Sequence, residues 1–313
     1  MTDSSVVRAA STGSPPERRR RYRRASERGE RLWGVVYALP AVVVVTLFMG
    51  YPLVRVISYS LTKWDGIGAA QWVGVRNFSQ LVHDKVFLDA LLNNVIYASS
   101  VPIEVVGALV IAYLIHTRIP GWWIFRSTFF LPAIYSTVVV GVIASIGLQS
   151  TGLLDNALRA IGLKFLAADW LAHPGTARMW IVLIVVWANI GYSVLIYLAG
   201  MSSIDPGLAE AANMDGAGPW YILFRIYLPS IRRVAELVLV INTITALTAM
   251  FTYIYVITNG GPGFSTYSAE FFVYNKAFTF GALGYASAAG VVLSVLVAAL
   301  GFLQIRMISG SEK

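Results

Sequence analysis

Residues 205–233 read DPGLAEAANMDGAGPWYILFRIYLPSIRR, a mixed polar island between two long apolar runs. Asp205 followed by Pro206 predicts a helix start, because Asp accepts from free backbone N–H groups and Pro at the first helical position has no donor to lose. Gly207–Met214 then reads as a short Ala-rich helix, and Asp215-Gly216 as a turn that ends it. Gly218-Pro219 starts a second helix, which Pro229 is expected to end. A segment that merely joins two apolar runs needs no helix–turn–helix. The island therefore reads as a docking element.

The chain around it is 57% hydrophobic and 13% charged over 313 residues, with mean hydropathy +0.67. That is the composition of a membrane protein. No cysteine is present, which excludes a disulfide framework, a haem attachment motif and a thiolate metal site. His83, His116 and His173 are scattered and suggest no metal centre. The net charge of +8 does not point to nucleic acid, because nine of the 24 Lys+Arg lie at Arg8–Arg31, directly before the first apolar run. That is the usual cytoplasmic flank of a span. Residues 1–31 are expected to form a disordered basic tail held near anionic lipid, with the membrane domain at 32–313. The tail does not read as a signal peptide, since its basic region is long and no clear cleavage site follows.

Six stretches are long and apolar enough to span: Leu32–Ser58, Leu91–Ile115, Thr128–Leu148, Met179–Met201, Ala235–Ile257 and Leu283–Met307. An even number places both termini on one side. With the N-terminus inside, 16 Lys+Arg fall on inner segments and eight on outer ones. The island then lies in the cytoplasm, between spans 4 and 5.

Glu210-Ala211-Ala212, Asp215-Gly216-Ala217, Phe224, Ile226, Leu228 and Pro229, in ungapped spacing, resemble the EAA loop of ABC importer permeases. Thr258-Asn259-Gly260-Gly261-Pro262 resembles the T-x-G-G-P stretch of the carbohydrate branch. Softer likenesses cover Gly74, Asn77 and Phe78, Phe125-Arg126-Ser127-Thr128 with Phe130-Leu131-Pro132, and Gly284-Tyr285-Ala286-Ser287-Ala288. The outer stretch at Gly152–Asn156 departs from the family in carrying one extra residue and lacking the preceding Trp.

The resemblance covers about residues 32–307 and implies an all-α, six-span permease subunit, N-in/C-in, in the bacterial cytoplasmic membrane. It implies a coupling helix that sits in a cleft on a separate ATPase. Glu210 and Asp215 would carry charge to that cleft, Gly216 the turn, and Leu228 and Pro229 the packing onto the span. Ala211, Ala212 and Ala217 belong to the same coupling set. The implied partners are a second homologous permease, two ATPase subunits carrying ATP and Mg, and an extracytoplasmic solute-binding protein. No cofactor is expected on this chain, and no G-x-x-x-x-G-K-[S/T] loop occurs in it, so it is not expected to be an enzyme.

Asn242, Thr245, Thr248 and Thr252 share one helix face by spacing. They suit either ordinary interhelical bonding or a sugar pocket with Trp187 and Gly191 of span 4. For Asn242 and Gly191 the pocket is favoured by resemblance to site positions in the maltose permeases. Glu104 is a lone carboxylate in span 2, for which packing is the favoured role over function. The runner-up substrate is glycerol 3-phosphate or another small solute. An ion-coupled secondary transporter is the rival of another class, and a membrane scaffold or receptor without transport a further one; only Glu104 lies clearly inside a span to serve ion coupling.

Overall fold

The computed structural model describes residues 36–164 and 168–310; the predicted tail lies outside the described residues. The chain divides into two units, residues 1–55 and 56–313. Most of helix α1 (Val36–Ser60) belongs to the first, and none of its most apolar window is buried. Pro40 and Pro52 do not break this helix. Before Pro52 it widens to a π turn at Thr46–Gly50, with the Tyr51 N–H donating to the Thr46 carbonyl. A proline ring would press on the carbonyl four residues back, and the wider turn relieves that contact.

Among its described residues, the second unit has helices and a short antiparallel hairpin, β1 (Thr62–Lys63) with β2 (Gln71–Trp72). Its helices are α2 (Arg76–Leu81), α3 (Lys85–Ala98), α4 (Ser100–His116), α5 (Trp122–Ile134), α6 (Thr137–Gly147) and α7 (Leu153–Ala160). Then come α8 (Pro174–Met201), α9 (Pro206–Met214), α10 (219–230), α11 (Arg232–Thr248), α12 (Met250–Ile257), α13 (Ala269–Tyr274) and α14 (Leu283–Gly310). Among the described residues, four helices could cross a membrane by length and composition: Val36–Ser60, Lys85–His116, Pro174–Met201 and Leu283–Ile308. Two more segments qualify only as bent pairs, α5 with α6 at 109° and α11 with α12 at 47°.

The third predicted stretch, Thr128–Leu148, is therefore not one straight helix. Pro132 removes a donor near the end of α5, Tyr135 is extended (φ −82°, ψ 152°), and the Ser136 hydroxyl starts α6 by accepting from the Val139 N–H at 3.4 Å. The expected stop at Pro229 is also displaced. The chain stays helical through a π turn at Leu223–Tyr227 and breaks only at Ile231 (φ −105°, ψ 24°). The device is the one seen before Pro52.

Two apolar clusters make the core. One gathers Tyr97, Ile181, Val185, Met250, Ile254, Phe271 and Phe272. The other gathers Ala108, Ala112, Val194, Tyr197, Met201, Leu223 and Val238. At Gly191 the Cβ of any other residue would fall on the Phe129 carbonyl, so α8 and α5 approach backbone to side.

A polar clamp fixes the stretch after α12. On α3, the Asn93 amide donates to the Ser265 and Tyr267 carbonyls at 2.8 and 2.9 Å, and the Tyr97 hydroxyl to the Thr266 carbonyl at 2.8 Å. Asn94 accepts from the Ala269 N–H at 2.8 Å and donates to the Glu270 carboxyl at 3.4 Å. Burial raises the Glu270 carboxyl above the usual range. Thr266 and Ser268 are fully buried, so their backbone must find partners inside the protein. Asn93→Ala leaves two carbonyls unpaired and is expected to cost about 1–3 kcal/mol for each. Thermal unfolding in detergent reads this as a lowered Tm, and an unchanged Tm would remove the clamp.

Candidate functional site: an exposed helix pair and the polar faces of α8 and α11

The 205–230 segment folds from its own sequence. The Asp205 carboxylate caps α9 by accepting from the Gly207 N–H at 2.9 Å. Its other end closes with two reversed bonds: Gly216 N–H to the Asn213 carbonyl at 3.0 Å and Ala217 N–H to the Ala212 carbonyl at 2.9 Å. This is the glycine-terminated helix end in which the residue after the cap is left-handed, and Gly216 has φ +80°. Open space surrounds a Cβ built at Gly216, so the turn needs glycine for its backbone alone.

α10 is planted by one face and bare on the other. Ile222, Leu223 and Tyr227 are buried, and Tyr227 meets Tyr113 edge-on at 5.5 Å and His116 at 5.4 Å, at the end of α4. Ala212, Ala217 and Leu228 pack partly against the same cluster. Leu208, Met214, Trp220, Tyr221 and Phe224 are exposed, Met214 at 89% and Trp220 at 61%. Trp220 and Phe224 stack at 6.2 Å and 17°. Glu210, Ala211, Asp215 and Pro229 are exposed as well. The pair thus presents an apolar and aromatic surface with two carboxylates, on a short rigid element. Such a surface marks a contact with a protein or with the membrane.

The other predicted residues do not gather into one cavity. Gly191 faces α5, whereas Asn242 of α11 donates to the Ser193 hydroxyl of α8 at 2.8 Å. Residues two apart on a helix point to nearly opposite sides, so the two lie on different faces of α8. Asn242 is 5% exposed and also donates to the Val238 carbonyl at 3.0 Å. Trp187 is exposed and Thr245 half-buried, and none of the four lines either of the two described cavities. Glu104 is buried in α4 within electrostatic range of Tyr253 on α12. Tyr253 also interacts with the side chains of Thr137 and Asn189, which joins α6, α8 and α12. The sequence reading singles out Glu104 but names no partner for it, because Tyr253, Thr137 and Asn189 are distant in the chain.

Asn242→Ala is expected to destabilise by about 0.5–1.5 kcal/mol. Ser193→Ala is expected to cost a similar amount, and the double variant little more, as for one shared bond. Apparent KM for transported solute is expected to stay unchanged; a raised KM would return Asn242 to the solute path.

Residues 66–309 match the family described as the binding-protein-dependent transport system inner membrane component. The chain belongs to this family. It is a transport permease component rather than an enzyme, and ATP hydrolysis in such systems resides on a separate subunit. Among its relatives, the probable ABC transporter permease protein YurN of Bacillus subtilis is 34% identical, over 89% of this chain and 97% of that one. The lactose transport system permease protein LacF of Rhizobium radiobacter is 32% identical, over 87% and 92%. A solved structure of a bacterial alginate ABC transporter, in complex with an alginate pentasaccharide-bound periplasmic protein, contains a chain of the same fold. It superposes with a TM-score of 0.75 at 23% identity, covering 91% of this chain and 96% of that one.

Proposed function

We propose that this permease has six spans with both termini cytoplasmic, serves an importer of a neutral sugar, and docks on its ATPase through residues 205–230. The observation that carries the reading is the helix pair itself. Its inner face is locked into the core by Leu223 and Tyr227, and its outer face is bare. A push on the outer face therefore reaches α4, α8 and α11 as a rigid movement. Glu210 and Asp215 supply charge to the ATPase cleft, Gly216 sets the turn, and Leu228 with Pro229 seats α10 at the foot of α11.

The bent pairs α5–α6 and α11–α12 each count as one span in this reading, which restores the charge asymmetry found in the sequence. Broken helices at membrane depth are the places where polar backbone lines a solute path. Trp187 and Thr245 border the path, while Gly191 and Asn242 hold its helices together. A neutral sugar is favoured over an anion because Met179–Met201 and Ala235–Ile257 contain only Glu236 as a charged residue and no Lys or Arg. A second homologous permease completes the path. Two ATPase subunits carry ATP and Mg, and a solute-binding protein delivers the sugar to the outer side.

Affinity purification of the tagged chain from mild detergent tests this reading. Co-purification of an ATPase, a second permease and a binding protein is expected, with ATPase activity stimulated by loaded binding protein. A chain that purifies alone, with no ATPase held by the 205–230 segment, overturns it.

A further inference from the structure

The largest described cavity, about 820 Å³, does not lie among the predicted pathway residues. It sits between the β1–β2 hairpin with α2 on one side and the turn leading into α14 on the other. From its wall chemistry we infer that this cavity is a saccharide subsite at the outer mouth of the permease. The inference rests on the topology proposed above, which puts the hairpin on the extracytoplasmic side.

The volume falls in the range of small-molecule sites. Its frame is built before any ligand arrives. The Asn77 amide, 6% exposed, donates to the Ser60 and Thr62 carbonyls at 2.8 and 2.9 Å and so locks the start of the hairpin. The Gly284 N–H donates to the Trp64 carbonyl at 3.0 Å, and Gly284 lets α14 touch the hairpin backbone. Asp84 caps α3, accepts from the Tyr285 hydroxyl at 2.9 Å and pairs with Lys276 at 3.7 Å. These groups are occupied with one another.

Four other wall side chains are not. Among the described residues, the side chains of Lys63, Gln71, Arg76 and Gln80 make no hydrogen bond or ion pair, yet all four line the cavity. Together they supply several donors and two amide acceptors, and Asp65 adds a carboxylate that already accepts from the Ile67 N–H. Trp64 lines the same space, held by stacking on Tyr59 at 4.3 Å and by donating its indole N–H to the Gly68 carbonyl at 3.1 Å. An immobilised aromatic face beside convergent amide and charged groups suits a sugar, which offers an apolar ring face and a rim of hydroxyls. An anion alone would make no use of Trp64. The four polar side chains are exposed to solvent, and an apolar ligand would gain no hydrogen bond from any of them.

The chain has no cysteine, so a single introduced thiol can be followed cleanly by mass. Gln71→Cys and Gln80→Cys are placed in the assembled transporter in nanodiscs, and their labelling by a polar maleimide is timed. Val82→Cys, exposed and not among the residues that line the cavity, is the control. Lactose, maltotriose and glycerol 3-phosphate are the probes. A protecting sugar at about ten times its dissociation constant is expected to slow labelling about tenfold at Gln71→Cys and Gln80→Cys and not at Val82→Cys. Trp64→Ala or Arg76→Ala is expected to abolish that protection.

Protection by glycerol 3-phosphate alone, by sugar-free binding protein alone, or by none of the probes overturns the inference. ATPase stimulation by loaded binding protein is read on the same particles. Stimulation without protection defeats the subsite alone, and absence of both defeats the importer reading with it.

Discussion

Loss of ATPase from the purified complex is the expected result of changing Met214 and Trp220 together to aspartate. Both side chains are exposed, so neither change disturbs the core that holds α10. Both lie on the bare face of the helix pair, and a desolvated aromatic is the commonest kind of energetic centre in a protein contact. Losing one such residue weakens association by about 2 kcal/mol or more, which is about thirtyfold in affinity. Two added carboxylates, which must also be desolvated on docking, increase the loss. The tagged chain is expected to reach the membrane at normal level, to carry little ATPase through purification, and to show no uptake. Undiminished ATPase recovery would mean that the exposed face of 206–224 is not the docking surface. Uptake failure with full recovery would place the defect after docking, in transmission through α10.

The second large effect is expected at Gly191. Leucine there puts a side chain into the space held by the Phe129 carbonyl and, at 3.2 Å, the Ala133 methyl. Backbone cannot swing aside as a flexible side chain can, so α5 and α8 must separate. Overpacking commonly costs about 1–3 kcal/mol and more where no relaxation is available. Even Gly191→Ala carries the colliding Cβ, and a lowered Tm is expected for it too. Gly301→Ala in α14 is the control: it meets nothing within 4 Å and is expected to be neutral or stabilising by about 0.5–1 kcal/mol. The readout is the fraction of extracted protein that is monodisperse, followed by thermal unfolding. Normal yield and Tm for Gly191→Leu would contradict the close contact.

These two sites differ in how far the sequence alone discloses them. The helix pair is written in local chemistry. Asp205-Pro206 starts α9 and Gly216 ends it, because capping and left-handed backbone depend on residues within one turn. Pro229 misleads for the same local reason: in isolation it stops a helix, whereas the core contacts of Leu223 and Tyr227 keep α10 helical through a wider turn. Gly191 could be seen as a small residue in a span, but its partner carbonyl lies about sixty residues away in sequence. Nothing near it says whether it lines a path or admits a neighbour.

Length and apolar content determined by themselves that this is a helical membrane protein, and the 205–233 island that it presents a helix pair. Those features follow from period, capping and transfer free energy, which act over short stretches of chain. The permease family was legible only as a resemblance of that island's residues to a known loop. Only the tertiary structure decided that α5 and α6 meet at 109°, that Asn242 bonds Ser193, that Asn93 and Tyr97 clamp the 265–269 stretch, and that Lys63, Gln71, Arg76 and Gln80 share a cavity with Trp64. Each of these depends on where a distant element comes to rest. Packing settles that for the whole chain at once, so no window of sequence contains it.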